Sequence, residues 1–240
     1  MLIDLKKLIQ LYDFASVGGL IDPAVIKFRE GSIVADNISP SYSLLSVVRS
    51  PPSLAKEYEP LGTIVLTEKL VKSIKKMFKA DDYVKLSVDK DDIVIEGSSE
   101  KFTFKNMVPT TEVPEFGLVQ TDYGLVLKKP KIVGAFKVDF SELHGIADED
   151  TITLKVSDRK LIVSTGIEGG KYEKALKLFD VREASQDITQ TFNGDELAEV
   201  VELIGGVGWI VMTEDPLIIT AEVTILPANV MFALAPRVVT

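Results

Sequence analysis

Five lysines on one predicted helix have the residue type and spacing for a definite chemistry, the neutralisation of phosphate. Within residues 68–79, the apolar Leu70, Ile74, Met77 and Phe78 recur at helical spacing, which predicts an amphipathic helix. Its opposite side carries lysines three and four residues apart, with one more beside them: Lys69, Lys72, Lys75, Lys76 and Lys79. Because Lys-rich helix surfaces commonly serve only solubility, composition alone favours that interpretation over nucleic-acid binding.

The other reactive side chains form no catalytic or metal-binding pattern. Cysteine is absent and His144 is the single histidine, which excludes thiolate metal sites and disfavours a zinc site. The acidic groups within 89–92 and 148–150 fall in predicted turns, where hairpin chemistry explains them. The glycines of 205–208 follow a predicted helix instead of opening one, as a helix stop does and a phosphate loop does not. We therefore expect no enzyme activity, no metal and no cofactor.

Composition indicates a folded globular protein. Of 240 residues, 46% are hydrophobic and 26% charged, which is ordinary globular usage. The net charge of −9 argues against a generally basic surface, but it is unevenly spread. Up to Thr121 there are 15 basic against 17 acidic residues, and beyond it 12 against 19. No apolar run approaches the ~18 residues of a membrane span, so we expect no membrane partner and a cytoplasmic location.

The positioning elements form two similar halves. Each half alternates short β-rich runs with two predicted helices, over 5–15 and 68–79 in the first half and over 131–146 and 195–204 in the second. Residues 110–121 contain Pro and Gly without a sustained period, which indicates a connector. The pattern predicts a duplicated α+β unit with domains at 1–109 and 123–240, joined by a loop at 110–122.

Several short stretches carry a family resemblance in the correct order along nearly the whole chain. They are Ser39-Pro40-Ser41-Tyr42 before a hydrophobic strand, the Pro-Ser to Lys-Glu-Tyr-Glu stretch within 51–59, Phe116-Gly117-Leu118-Val119 in the connector, Asp215-Pro216-Leu217, and the closing Leu234-Ala235-Pro236-Arg237-Val238. Together they resemble the PCNA family of DNA sliding clamps.

The resemblance implies a two-domain DNA clamp fold with antiparallel sheets outside and two helices per domain facing a central pore. Three subunits, identical or different, would close head-to-tail around duplex DNA without reading its sequence. Such a clamp, known from archaeal and other sources, holds DNA polymerase, clamp loader, nuclease and ligase through short hydrophobic motifs during replication and repair. Its location would be the nucleoid, or the nucleus in a eukaryote.

Family position reverses the solubility interpretation of the lysines, and it adds Lys6 and Lys7 on the first helix as DNA-binding candidates. The second half departs from the family pattern. Its helix 195–204 presents acids where the family usually has some basic residues: Asp195, Glu196, Glu199 and Glu202. We therefore expect lopsided DNA contact, which fits a mixed ring and is equally compatible with a homotrimer.

The resemblance also implies a partner groove beneath the connecting loop. Carried over by position, its candidates are Ile38, Tyr42, Ser43, Leu45, Phe116, Gly117, Leu118, Val119, Pro216, Ala233, Ala235 and Pro236. Ala233 stands where many members have an aromatic residue, which predicts a shallower wall. Part of Leu45 and Ala235 is also expected to belong to the core.

Ring closure in the family pairs edge strands, which correspond here to 101–107 and 171–178. Lysines on such edges could equally prevent association. Only four residues precede the first predicted helix, so the family's first strand is expected to be missing or very short. The alternatives left open are a heterotrimeric or checkpoint-type ring subunit and a monomeric viral processivity factor.

Overall fold

The computed structural model describes residues 1–79, 81–109, 116–129, 131–144, 149–167, 170–184, 186–223 and 226–237. Within them the chain is mainly antiparallel sheet, with three α-helices, none long and apolar enough to cross a membrane. It divides into two compact units. Unit 1 comprises Met1–Ser39, Ser46–Pro114 and Val223–Val230, and unit 2 comprises Pro40–Leu45, Glu115–Glu222 and Met231–Thr240.

The first part of the chain supplies two helices and nine strands. Its elements are β1 (Leu2–Asp4), α1 (Leu5–Ser16), β2 (Ala24–Arg29), β3 (Ser32–Ile38), β4 (Leu44–Ser50), a 3-10 turn (Pro52–Leu54), β5 (Ala55–Glu57), β6 (Gly62–Leu66), α2 (Glu68–Met77), β7 (Tyr83–Asp89), β8 (Asp92–Glu96) and β9 (Lys101–Lys105). One sheet has the order β5-β1-β7-β8-β9. In the other, β4, β3, β2 and β6 are successive neighbours. The expected short first strand is confirmed, because β1 has three residues and pairs with β5 and β7.

The second part supplies one α-helix and eleven strands within the described residues. They are β10 (Leu118–Thr121), β11 (Gly124–Leu127), β12 (Ile132–Asp139), a 3-10 turn (Phe140–Leu143), β13 (Thr151–Ser157), β14 (Lys160–Ile167), β15 (Gly170–Ala175), β16 (Leu178–Arg182), β17 (Ile188–Asn193), α3 (Gly194–Ile204), β18 (Val207–Thr213), β19 (Leu217–Val223) and β20 (Ala228–Leu234). β10 and β11 form a hairpin, a second sheet runs β15-β14-β13-β17, and β16, β12, β18 and β19 are neighbours in a third.

The predicted helix over 131–146 is wrong for the described residues. The segment is instead the strand β12 followed by one 3-10 turn, and β12 pairs with β16 on one side and β18 on the other. Val133, Ala135, Phe136 and Val138 are all buried, so both faces of this strand are covered. A run that is apolar on both faces has no alternation to mark it as a strand, and its large residues can be mistaken for a helical stripe. Beyond the turn, residues 145–148 lie outside the described part of the chain.

The two helices of unit 1 start at polar caps. The Asp4 carboxylate accepts from the backbone N–H of Lys6 at 2.8 Å, and the Thr67 hydroxyl accepts from that of Leu70 at 3.3 Å. α1 buries one face with Leu8, Leu11 and other apolar residues, and it ends in the left-handed conformation at Val17. The apolar stripes predicted both helices within two residues of their observed bounds, and the polar caps are where the helices begin.

Opposite ends of these two helices lie close together. The backbone N–H of Leu5, at the start of α1, donates to the carbonyl of Asp82, just beyond α2, at 3.0 Å. The backbone N–H of Glu68, at the start of α2, donates to the carboxylate of Asp22, just beyond α1, at 3.0 Å. The helices therefore run antiparallel, and the beginning of α1 and the end of α2 share one end of the pair.

Candidate DNA-facing helices and partner groove

The seven DNA-binding candidates all lie in unit 1, on or next to the antiparallel helix pair. The side chains of the α2 group, from Lys69 to Lys79, are exposed, while α2 buries Val71 and Ile74 on its other side. On α1, Lys6 is exposed and Lys7 is half-buried. Because the helices are antiparallel, the lysines of the first turn of α1 and the last turn of α2 concentrate at the same end.

Local acids neutralise only part of this lysine set. Lys72 pairs with Glu68 one turn earlier at 2.5 Å, but both side chains are more than half exposed, so the pair is weak. Burial raises the pKa of Asp13 on α1, and the nearby Lys75 partly opposes that shift. In the described part of the chain, no acid lies within ion-pair distance of Lys69, Lys76 or the other remaining α2 lysines.

The placement of the lysines relates differently to the two helix dipoles. Lys75 and Lys76 occupy the last turn of α2, where the partial negative charge of the helix end favours cations. Lys6 and Lys7 occupy the first turn of α1, which contains no acid and where cations are disfavoured. The helix dipole therefore does not favour this basic pair, unlike the lysines at the end of α2.

The exposed side of α3 in unit 2 has the opposite charge. Asp195 and Glu202 are exposed, Glu196 and Glu199 are half-buried, and no basic residue stands in the last turn. The helix packs its apolar face, which includes Leu197 and Val200, against the 3-10 turn and β17. The predicted helix is confirmed with its acidic side.

Eleven of the twelve groove candidates belong to unit 2, and Ile38, which is half-buried, belongs to unit 1. The segment 40–45 meets the end of β20, because the backbone N–H of Ala235 donates to the carbonyl of Ser43 at 2.7 Å. The loop before β19 is fixed through Thr213, whose hydroxyl donates to the carbonyl of Pro216 at 2.7 Å. The structure thus brings Ser43 and Ala235 together and gives Pro216 a defined position.

The connecting-loop candidates lie on or just before the β10–β11 hairpin. The Gly117 carbonyl accepts from the backbone N–H of Lys128 at 2.8 Å, and Leu118 pairs with Leu127. Phe116 and Leu118 are half-buried and Val119 is 38% exposed, so this loop offers apolar surface. Residues 110–115, the rest of the predicted connector, lie outside the described residues.

The remaining groove candidates differ in the surface they can offer. Leu45 and Ala233 are buried, so within unit 2 they belong to the core. Tyr42 is 73% exposed and has a left-handed backbone, with φ at 59°. Ala235 is exposed, and Ser43, Pro216 and Pro236 are half-buried.

Sequence reasoning missed one contact at this site. The Ser43 hydroxyl donates to Glu196 Oε1 on α3. Glu196 is therefore bound by the segment 40–45 and is not simply part of the acidic surface. The only signal was that Glu196 stands three residues after the helix cap Asn193, where a glutamate is expected to bind back to the cap residue.

Most of each segment predicted to close the ring, 101–107 and 171–178, lies on a strand at a sheet edge. β9 is the last strand of the five-stranded sheet of unit 1, and β15 is the last strand of a four-stranded sheet in unit 2. Lys101 and Lys105 on β9 pair across the strand with Glu96 and Asp92 of β8, at 2.7 and 2.8 Å. In the described ranges, no three acidic or histidine side chains are grouped so that they could hold a metal ion.

No family model and no curated protein matches this sequence. Solved structures match its fold over almost its full length. A structure of A. fulgidus PCNA bound to the C-terminal region of FEN-1 has a TM-score of 0.77 and 17% identity, covering 100% of this chain and 98% of that one. PCNA from Thermococcus kodakaraensis has a TM-score of 0.71 and 16% identity, covering 99% of each chain.

A PCNA2–PCNA3 complex from Sulfolobus tokodaii matches with a TM-score of 0.74 and 18% identity, covering 99% of both chains. All three similarities extend over both units, so they concern the whole duplicated architecture and not a shared part of it. The chain therefore has the DNA clamp fold of the archaeal PCNA proteins.

Proposed function

We propose that this chain is a subunit of a sliding clamp that encircles duplex DNA and tethers DNA polymerase and other replication and repair enzymes. The observation that carries the proposal is the antiparallel helix pair of unit 1, which gathers seven lysines on a fold otherwise shared with PCNA. A clamp needs loose, sequence-independent phosphate contacts, and mobile lysines on a helix surface supply them. It needs no catalytic group of its own.

DNA contact in such a subunit is uneven. Unit 1 supplies the cations, while the exposed Asp195 and Glu202 of α3 repel phosphate. The subunit therefore holds DNA mainly through its first half, and it depends on ring closure more than on affinity for retention. The edge strands β9 and β15 are the proposed contacts to neighbouring subunits, identical or different.

Partner enzymes are proposed to bind at the surface formed by the segment 40–45, the β10–β11 hairpin and the end of β20. Its apolar members can take the hydrophobic anchors of a short peptide motif. The FEN-1 C-terminal region seen with A. fulgidus PCNA is a suitable probe, because it represents the nuclease class of partner. Polymerase, clamp loader and ligase are the other proposed classes.

The experiment that tests the clamp function measures assembly and topological retention together. The mass of the chain is determined in solution, alone and mixed with candidate sister subunits, and each assembly is incubated with nicked circular DNA. A clamp remains on the circle and is released when the circle is cut to a linear molecule. It also stimulates a DNA polymerase on a primed circle. A persistent monomer that does neither contradicts the proposal.

A further inference from the structure

The turn around Tyr42 in unit 2 exposes an aromatic side chain, and the backbone at this residue has a conformation that is unfavourable for tyrosine. Its φ of 59° is left-handed, a conformation that costs a residue with a Cβ about 1 kcal/mol or more. The ring is 73% exposed, so packing of the side chain supplies little compensation. Bonds from the flanking residues must hold this turn.

Ser43 supplies those bonds in three directions. Its carbonyl accepts from the backbone N–H of Ala235 at 2.7 Å, and its hydroxyl donates to Glu196 Oε1. The Ser41 and Ser43 hydroxyl oxygens are 2.6 Å apart. Because the single proton of the Ser43 hydroxyl is directed to Glu196, Ser41 is the donor of that pair. The result is a chain of hydrogen bonds from Ser41 through Ser43 to Glu196, formed by the two residues that flank Tyr42.

Glu196 is diverted from the role that its position in the sequence predicts. Asn193 caps α3 by accepting from the backbone N–H of Glu196 at 3.3 Å, which is one half of a capping box. In the other half, the glutamate side chain would return to the backbone of the cap residue. Here its Oε1 serves Ser43, across 153 residues of sequence.

The diversion has an energetic cost. Glu196 Oε2 is buried and, among the described residues, has no hydrogen-bond partner. A desolvated carboxylate oxygen without a donor is unfavourable, so this arrangement does not serve the stability of α3. It does provide a hydrogen-bond acceptor at a fixed place on helix α3 for Ser43, which follows Tyr42, the left-handed residue of the segment 40–45.

We infer that Glu196 is a positioning residue for the partner groove: through Ser43 it holds the Tyr42 turn in its exposed, left-handed conformation before a partner arrives. The inference rests on the proposed function, because the groove is part of it. A turn that is ordered before binding loses less conformational entropy when the partner binds. The affinity for a partner peptide should therefore fall when the Ser43–Glu196 hydrogen bond is removed. One carboxylate on the acidic helix is thereby assigned to partner binding.

The test uses the full chain and two readouts. The first is hydrogen exchange of the backbone amides of residues 41–45, which needs no partner. The second is the affinity for a peptide of the A. fulgidus FEN-1 C-terminal region. Glu196→Ala and Ser43→Ala should each speed exchange in this segment and weaken peptide binding about fivefold, the size expected for removing one hydrogen bond. The double variant should be no worse than Ser43→Ala alone, because Ser43→Ala already removes the bond to Glu196.

Matched variants separate positioning from general damage. Glu196→Gln keeps an acceptor oxygen and should restore most of the affinity, whereas Glu202→Ala removes an exposed acid from the same helix and should change neither readout. Thermal unfolding identifies any variant that fails to fold. If Glu196→Ala does not fold, the comparison of Glu196→Gln with Ser43→Ala decides the question. Exchange that is unchanged in Ser43→Ala, or effects that add in the double variant, overturns the inference. If the wild-type chain binds no peptide, the proposed groove is wrong, and the exchange data alone still decide whether Glu196 holds the turn.

Discussion

The helices α2 and α3 are built alike and carry opposite charge. Each begins at a polar cap, Thr67 or Asn193, and each buries an apolar stripe against its own unit. The exposed side of α2 is a row of lysines, whereas that of α3 is acidic. Because capping and core packing determine whether a helix forms, the exposed positions are free to differ. The comparison shows one helix architecture with two opposite surface charges, which the proposed function assigns to DNA contact in unit 1 and to partner contact in unit 2.

The proposed assignment of DNA contact to unit 1 and partner contact to unit 2 is tested most directly by removing apolar side chains of unit 2 that are proposed to bind the partner peptide. Replacing Phe116 and Leu118 together by Ala should weaken binding of the FEN-1 C-terminal peptide about thirtyfold or more, because truncating apolar anchors in an interface commonly costs over about 1 kcal/mol each. Fluorescence anisotropy with the labelled peptide measures this change. Retention on circular DNA should stay the same, since both residues lie on or beside the hairpin of unit 2.

A matched control lies on the same hairpin. Gln120→Ala removes an exposed polar side chain from β10 and should leave the peptide affinity within twofold of wild type. Equal affinity of the double variant and the wild type would remove the β10 segment from the groove.

The next largest effect is expected at the shared end of the helix pair in unit 1. Changing Lys76 and Lys79 to Glu should reduce DNA association about tenfold at low salt. It should also lower the salt slope by about 1 for each phosphate that the variant no longer neutralises. Binding to a DNA duplex over a series of salt concentrations gives both quantities. The peptide affinity should be unchanged.

The control for this variant makes the same charge change elsewhere. Lys155 and Lys160 are exposed on β13 and β14 of unit 2, and their replacement by Glu gives an identical net charge. Should both double variants weaken DNA association equally, net charge and not the helix pair governs binding.

The charge contrast could be predicted from the sequence because it depends on local features. The amphipathic period predicted α1, α2 and α3. Exposed charges then follow from the same period, since positions opposite an apolar stripe face solvent. The family-like stretches added the order of the two halves and the candidates of the groove.

What the sequence could not predict depends on tertiary contacts. β12 was mistaken for a helix because its environment, a neighbour strand on each side and covered faces, is not encoded in a local period. The bond from Ser43 to Glu196 joins two distant segments, and the local capping pattern indicated a different partner for the glutamate. The exposed, left-handed Tyr42 likewise has no sequence signal, because Asn or Gly is the usual residue in that conformation.

A smaller effect should come from reversing the acidic side of α3. Glu202→Lys and Asp195→Lys each replace a negative charge by a positive one near the proposed DNA path, and each should raise DNA association about two- to threefold at low salt. Their effects on thermal stability should be opposite. Lys at 202 lies in the last turn and gains from the helix dipole, whereas Lys at 195 lies in the first turn and is less stable by about 0.3–1 kcal/mol. A rise in DNA association for neither variant would place α3 away from DNA.

The smallest expected effect concerns Asp13, an acid on α1 that lies near Lys75 of α2. Burial raises the pKa of Asp13, with Lys75 opposing the shift, so the charged carboxylate is less favourable in the folded chain than in the unfolded chain. The folded state then binds more protons between the unfolded and the folded pKa, and the stability of the wild type falls as pH rises through that interval.

Asp13→Asn lacks this titration. Its midpoint of thermal unfolding should exceed that of the wild type by about 1 °C at neutral pH, since partial exposure screens the penalty, and the two should converge below the unfolded pKa. Removing a negative charge beside Lys75 should also strengthen DNA association slightly, so a variant that is stabilised at neutral pH but binds DNA less well would contradict the placement of this helix pair against DNA.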